Sequence, residues 1–325
     1  MLRPVIDLHC DLLGCVECHE EAWNFETPHT NCCLPQMEKG GVKIQTLAIA
    51  TFTCKGSTRK SERQVELYRK LLQRHKSRVG AFKEYQQVSK KVHFLFAIEN
   101  SSGLAEENEP LERAFERFEA FRKVEKILYV SLTWNGENRF GGGCGSNVGL
   151  KEDGERLLRY LSGKDVLIDL SHASDPLAFD IIQFIHKEGL AITPIASHSN
   201  FRKVLNVPRN LPDAIAKEII RLRGVIGINF VRHFIGDRKE DFLRHIQYGL
   251  SLKGENALCL GADFFGGFTV PPQFHSDLPD PMFQKEFSNS SCYPEFFSFL
   301  EEWLTKDQME KIAYKNAYRL MGENT

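Results

Sequence analysis

The sequence predicts an α/β fold, a (β/α)8 barrel, and three observations predict it. Eight short runs are rich in Val, Ile, Leu and Phe, as strands buried on both faces must be. Stretches with helical spacing separate most of them, the alternation of a parallel barrel. Histidines and carboxylates sit where several of the runs end. A doubly wound open sheet is the alternative, but no glycine-rich phosphate loop follows the first run.

The runs are "VIDLH" from Val5, "KIQTLAIATF" from Lys43, "VHFLFAIE" from Val92 and "ILYVSLTW" from Ile127. They continue with "VLIDLSH" from Val166, "AITPIASH" from Ala191, "VIGINF" from Val225 and "ALCLGADF" from Ala257. Between the second and third, residues 61–88 have helical spacing, with Ser61 as the expected N-cap. At 110–124, Leu111, Phe115, Phe118 and Phe121 share one face, the pattern of a helix packing on a sheet rather than of a cofactor site. The segment 174–189 opens on a Ser-Asp cap with a proline in its first turn and closes at Gly189. Residues 211–224 repeat that plan and are expected to end at Gly224. After the eighth run, a loop of about 266–292 is expected over the barrel mouth, and helices over 293–321 finish the chain. No repeat or linker divides the sequence, so a single domain of 1–325 is expected.

Composition narrows the function. The 42% hydrophobic content is ample for a large core, and 42 basic against 43 acidic residues leave a net charge of -1. No basic stripe asks for nucleic acid, and no apolar run is long enough for a bilayer. No secretory leader or lipid-anchor tail is visible, so a cytoplasmic protein is expected, with neither nucleic-acid nor membrane partners. Nine cysteines, an odd number, favour reduced thiols. Cys15, Cys18 and His19 form the C-x-x-C-H pattern of haem attachment, without the export context that chemistry requires. A structural zinc site from Cys15, Cys18, Cys32 and Cys33 is an alternative to free thiols in loops and core.

The chemistry lies at the run ends. His9 and Asp11 close the first, Glu99 the third, His172 the fifth, His198 the sixth and Asp263 the eighth. In a barrel these ends open on one face, so residues distant in sequence converge there. His9 and Asp11, two apart on an extended segment, point to the same side, with Cys10 facing away. Imidazole nitrogen with carboxylate oxygen suits zinc or a similar ion. Asp7 precedes His9 by two and is placed to orient it. Glu99 follows six largely apolar residues, where a carboxylate needs a partner or a cation; a buried salt bridge and a metal are both open. His172 or His198 alone would be read as a core histidine, but together at the same barrel end they point to metal ligands. Asp263 is suited to proton transfer beside a metal-bound water, with a sixth metal ligand or a structural acid as the alternative.

At these residues the chain resembles the renal (membrane) dipeptidase family of the amidohydrolase superfamily. The resemblance rests on "DLHCD" at Asp7, "GGVKIQ" at Gly40, "AIENSSG" at Ala97 and "VSLTWNGEN" at Val130. It continues through "VLIDLSH" at Val166, "SHSN" at Ser197, "VPRNLPD" at Val207, "LGADF" at Leu260 and "KNAYRL" near the C-terminus. It implies a dipeptidase whose two metal ions, zinc above all, supply hydroxide to the peptide carbonyl. His9 and Asp11 would hold one ion, His172 and His198 the other, and Glu99 would bridge. Asp263 would be the catalytic acid/base and Arg209 would hold the dipeptide carboxylate; by itself Arg209 would be read as a surface salt bridge. A homodimer is also implied. Two positions depart from the family pattern. Trp134, followed by Asn135, stands where mammalian members have a substrate-binding histidine, so any hydrogen bond to substrate must come from the indole N–H or the Asn135 amide. Phe265 replaces an acid but leaves Asp263 in place. The alternatives are an amidohydrolase acting on a lactam, lactone or phosphoester, and a metal-binding barrel without turnover.

Overall fold

The computed structural model describes residues 2–19, 24–266 and 281–322. Nine strands form one parallel sheet: β1 Val5–Cys10, β2 Val42–Ala50, β3 Val79–Ala81, β4 Val92–Glu99, β5 Ile127–Ser131, β6 Leu167–Asp169, β7 Pro194–Ile195, β8 Ile226–Ile228 and β9 Leu258–Leu260. Eight of them run in the order β7-β6-β5-β4-β2-β1-β9-β8, and a parallel bridge between Ala196 and Ile226 joins the two ends into a barrel. All eight apolar runs contain one of these barrel strands. The helices cover them so completely that β1, β4 and β5 are buried at every position.

β3 was not foreseen. Residues 61–88 were expected to be one helix, but the helix runs Ser57–Arg74, and Val79–Ala81 then pairs with the start of β4 at Val92, His93 and Phe94. Gly80 permits this close approach, since a Cβ there would meet the His93 ring at 3.0 Å. Nor does Ser61 cap that helix. Gly56 stands at the N-cap, and Ser61 lies inside the helix, donating to the carbonyls of Thr58 and Gly103.

The helix Asp175–Glu188 begins and ends as its sequence dictates. Ser174 Oγ accepts from Leu177 N at 3.1 Å, and Gly189 leaves in the left-handed region at φ 62. The helix Asp213–Arg221 differs from expectation at its end, where Arg223, not a glycine, takes the left-handed turn at φ 61. Gly224 is needed for closeness instead, because a Cβ there would lie 2.1 Å from the Pro194 carbonyl. Leu111, Phe118 and Phe121 are buried, and Phe115 stacks on Tyr160. Most of the expected mouth loop falls on 267–280, outside the described residues. Beyond it Val231 bridges to Phe283, and the chain ends in short helices Tyr293–Leu300, Lys306–Glu310 and Asn316–Arg319. No helix among the described residues is long and apolar enough to cross a membrane.

Candidate metal centre

Five strands deliver the site. His9 lies in β1 with Asp11 just beyond it, Glu99 ends β4, and His172, His198 and Asp263 each follow the ends of β6, β7 and β9. The register of β1 slips between Asp7 and Cys10. Leu8 packs in a cluster made mostly of strand residues, whereas Cys10 packs in the large cluster shared with the helices. Asp7 acts through the backbone, accepting from His9 N at 3.2 Å, Ala262 N at 3.0 Å and Tyr293 OH at 2.6 Å. It does not touch the imidazole.

The predicted residues converge. His9 Nε2 lies 3.7 Å from carboxylate oxygens of Asp11, Glu99 and Asp263. Glu99 Oε1 lies 2.7 Å from His172 Nε2 and 3.7 Å from His198 Nε2, and those two nitrogens are 2.9 Å apart. Three overlapping groups have all their ligand atoms within 4.8 Å of one another: His9, Asp11 and Glu99; Glu99, His172 and His198; His9, His198 and Asp263.

Hydrogen bonding behind each ring assigns its tautomer. Tyr129 OH donates to the Leu8 carbonyl at 3.0 Å, so it accepts from His9 Nδ1–H at 2.6 Å. Ser197 Oγ donates to Asp169 at 2.7 Å, so it accepts from His198 Nδ1–H at 2.6 Å. Asn135 Oδ1, which can only accept, takes His172 Nδ1–H at 2.8 Å. Each Nε2 is thereby turned to the same floor and, in the neutral ring, aims a lone pair at it. The His172 and His198 Nε2 atoms face each other at 2.9 Å, a crowding of lone pairs that a cation beside them would relieve. Buried His9 Nε2 and Asp11 Oδ1 have no hydrogen-bond partner among the described residues. The donor set thus fits divalent metal.

The electrostatics carry the same sign. Burial raises Glu99 well above the carboxylate range, and the Asp11 charge adds to it. Asp263 is pushed up to about 6, chiefly by burial. Burial pulls His172 and His198 well below the usual imidazole value. It also pulls on His9, but Glu99, Asp11 and Asp263 outweigh it and hold that ring at about 10. A proton on His9 Nε2 does there what a metal ion would do, which is to offset crowded anions.

Above this floor is a cavity of about 300 Å³ lined by Asp11, Glu99, Asp263, His172 and Arg209, with Phe52, Trp134, Phe234 and Phe265 among its walls. Arg209 is buried and forms no salt bridge among the described residues, against its reading as a surface ion pair. It donates to the carbonyl of Ser171, to Ser199 Oγ at 3.3 Å and to the bare His172 Nε2 at 3.1 Å. Trp134 lines the cavity beside Asn135, whose oxygen is engaged by His172. Asp263 adopts φ 62, a strained conformation for a non-glycine residue, and Asn229 Nδ2 holds its Oδ2 at 2.8 Å. Sequence reasoning missed Tyr129, Asp169, Ser197 and Asn229. Polar residues inside the apolar runs were their only signal. The four-cysteine zinc alternative does not form: no ligand group among the described residues contains a cysteine, and Cys32 Sγ donates to two carbonyls.

A profile of the membrane dipeptidase family, peptidase family M19, matches residues 2–325. The chain belongs to this family. Among relatives of the M19 chain, an uncharacterised dipeptidase of Schizosaccharomyces pombe is 26% identical over 206 residues, covering 60% of this chain and 46% of that protein. A dipeptidase of Claviceps purpurea is 24% identical over 208 residues, covering 61% and 44%. The chain spans about half the length of the curated relatives it matches. A metallopeptidase of Rhodobacter sphaeroides, solved with a phosphinate mimic of the dipeptide L-Ala-D-Ala, superposes with a TM-score of 0.83 at 18% identity over 99% of each chain. A phosphotriesterase of Mycobacterium tuberculosis reaches 0.55 at 11% identity, over 98% of this chain and 93% of that one. At such identities the likeness is one of fold.

Proposed function

We propose that this chain hydrolyses the peptide bond of small dipeptides at a pair of divalent cations, zinc being the ion best suited to imidazole and carboxylate donors. The observation that carries the reading is the meeting of three imidazole lone pairs with buried carboxylates on one floor. His9 and Asp11 would hold one ion and His172 and His198 the other. Glu99, with Oε2 toward His9 and Oε1 toward His172, would serve both. When bound, such ions supply hydroxide near neutral pH and polarise a carbonyl.

The remaining work falls to the chain. Asp263 faces the floor through Oδ1 while Asn229 fixes Oδ2, so it is poised to take the proton of the attacking water and return it to the leaving amine. Arg209 has no acid partner among the described residues, and its planar fork suits the C-terminal carboxylate of a dipeptide. A cavity of about 300 Å³ is at the small end for ligands and excludes a folded chain. Trp134 walls this space. With the Asn135 oxygen engaged by His172, that residue has only its NH2 group to offer a substrate carbonyl. All nine cysteines are free thiols, which supports a reducing, cytoplasmic setting.

The test is metal content together with a substrate panel of dipeptides of both stereochemistries, a β-lactam, a lactone and a phosphodiester. Dipeptide hydrolysis that a chelator abolishes and zinc restores is expected. Turnover of another class without dipeptides, or bound metal without any turnover, contradicts the proposal.

A further inference from the structure

The composition of the cavity wall bears on which dipeptides enter, an inference that rests on the dipeptidase reading. Trp134 lies over the His172 ring, with centroids 5.9 Å apart, and Phe52 meets Trp134 edge-on at 5.0 Å. Phe234, Phe265 and Val231 also line this cavity. The Arg209 guanidinium sits over Phe234 at 5.3 Å, and Phe283 braces Phe265 at 5.5 Å. Phe52 and Val231 are buried, whereas Trp134, Phe234 and Phe265 keep part of their surface exposed. Apolar surface gathered around one opening and left partly exposed is surface for a ligand to cover.

The charges of the cavity are already engaged. Asp11, Glu99 and Asp263 crowd the floor around His9. Arg209 is the one Lys or Arg lining the cavity among the described residues, and the substrate carboxylate takes it. Beyond the carboxylate and ammonium that every dipeptide carries, a charged side chain would lose its water against aromatic rings, and the lining offers it no further Lys, Arg, Asp or Glu among the described residues, which is costly. An apolar side chain would gain by the same burial.

We infer that the cavity selects dipeptides with aromatic or branched aliphatic side chains and rejects those with charged ones, Phe52 and Trp134 setting the preference. The experiment measures kcat/KM of the zinc-loaded enzyme for Ala-X and X-Ala series, X being Ala, Leu, Phe, Glu or Lys. Leu or Phe should exceed Ala on the order of 10- to 100-fold at one position or both, with Glu and Lys below Ala at both. Phe52→Ala should shrink the Phe-to-Ala ratio. Trp134→Lys, at a half-exposed position, should shift the ratio toward Glu. Metal content and unfolding temperature, measured alongside, identify a variant that fails to fold, and the parent series then decides alone. Flat series, or best rates with Glu or Lys, overturn the inference and leave the dipeptidase reading standing. Failure to cleave any member overturns both.

Discussion

Replacing Tyr129 by Phe removes one oxygen and tests how His9 is made ready for metal. Tyr129 is fully buried, and its hydroxyl accepts from His9 Nδ1–H at 2.6 Å while donating to the Leu8 carbonyl at 3.0 Å. Without it the imidazole proton is free to move to Nε2, where three carboxylates lie 3.7 Å away, and the lone pair aimed at the floor is lost. Leaving a buried donor without its partner costs about 1–3 kcal/mol. At about 1.4 kcal/mol per decade, the affinity of the ion on the His9 side should fall roughly 10- to 100-fold. The ion on the His172 and His198 side, whose rings lean on Asn135 and Ser197, should keep its affinity. Zinc competition against a chromophoric chelator at fixed pH would therefore resolve two phases, one shifted and one unchanged. Urea unfolding of the chelated protein reports the part of the cost borne by the fold. Parent-like affinity for both ions, or equal weakening of both, would refute the reasoning.

Other residues make separate predictions. Asp263→Asn should retain two ions per chain and lose roughly 100- to 10,000-fold in kcat; steady-state rates with elemental analysis check this, and an unchanged kcat removes Asp263 from proton transfer. Arg209→Ala should raise KM for dipeptides but not for amides lacking a free carboxylate, and an equal loss on both rejects the carboxylate role. Gly261→Ala would set a Cβ 1.8 Å from the Ser197 carbonyl, as a Cβ at Gly227 would at 1.9 Å, so it should destabilise the fold by about 1–3 kcal/mol or more. A parent-like urea midpoint would show that the Ser197 peptide has room to yield. His245 is buried and accepts from Phe201 N through Nδ1, and burial lowers its pKa from 6.5 to about 4. Its folded form resists protonation, so the stability it contributes is complete above pH 6.5 and drains away as pH falls, reaching about 3 kcal/mol by pH 4. His245→Asn should flatten the urea midpoint against pH across that window, and an unaltered slope contradicts the assignment.

The barrel was legible because parallel strands buried on both faces have to be continuous apolar runs. β3 was not, since Val79–Ala81 is three residues long and sits between basic and polar neighbours that read as more helix. The centre was legible for a related reason. A histidine or carboxylate ending an apolar run is anomalous, and barrel geometry places such anomalies on one face. What lies behind the ligands was hidden, because Tyr129 reaches His9 across the barrel and Asn229 reaches Asp263 from the next strand end. Those contacts depend on register and on the bulge in β1, which no single segment encodes. Asn135 illustrates the limit. Its place beside Trp134 suggested a substrate contact, and nothing in the sequence showed that its oxygen also orients His172.

The most direct measurement is anomalous diffraction at the zinc edge from crystals grown with zinc. Two peaks roughly 3.5–4 Å apart are expected, one against His9 and Asp11, the other against His172 and His198, with Glu99 touching both. A single peak, or none among these five side chains, would contradict a two-metal centre.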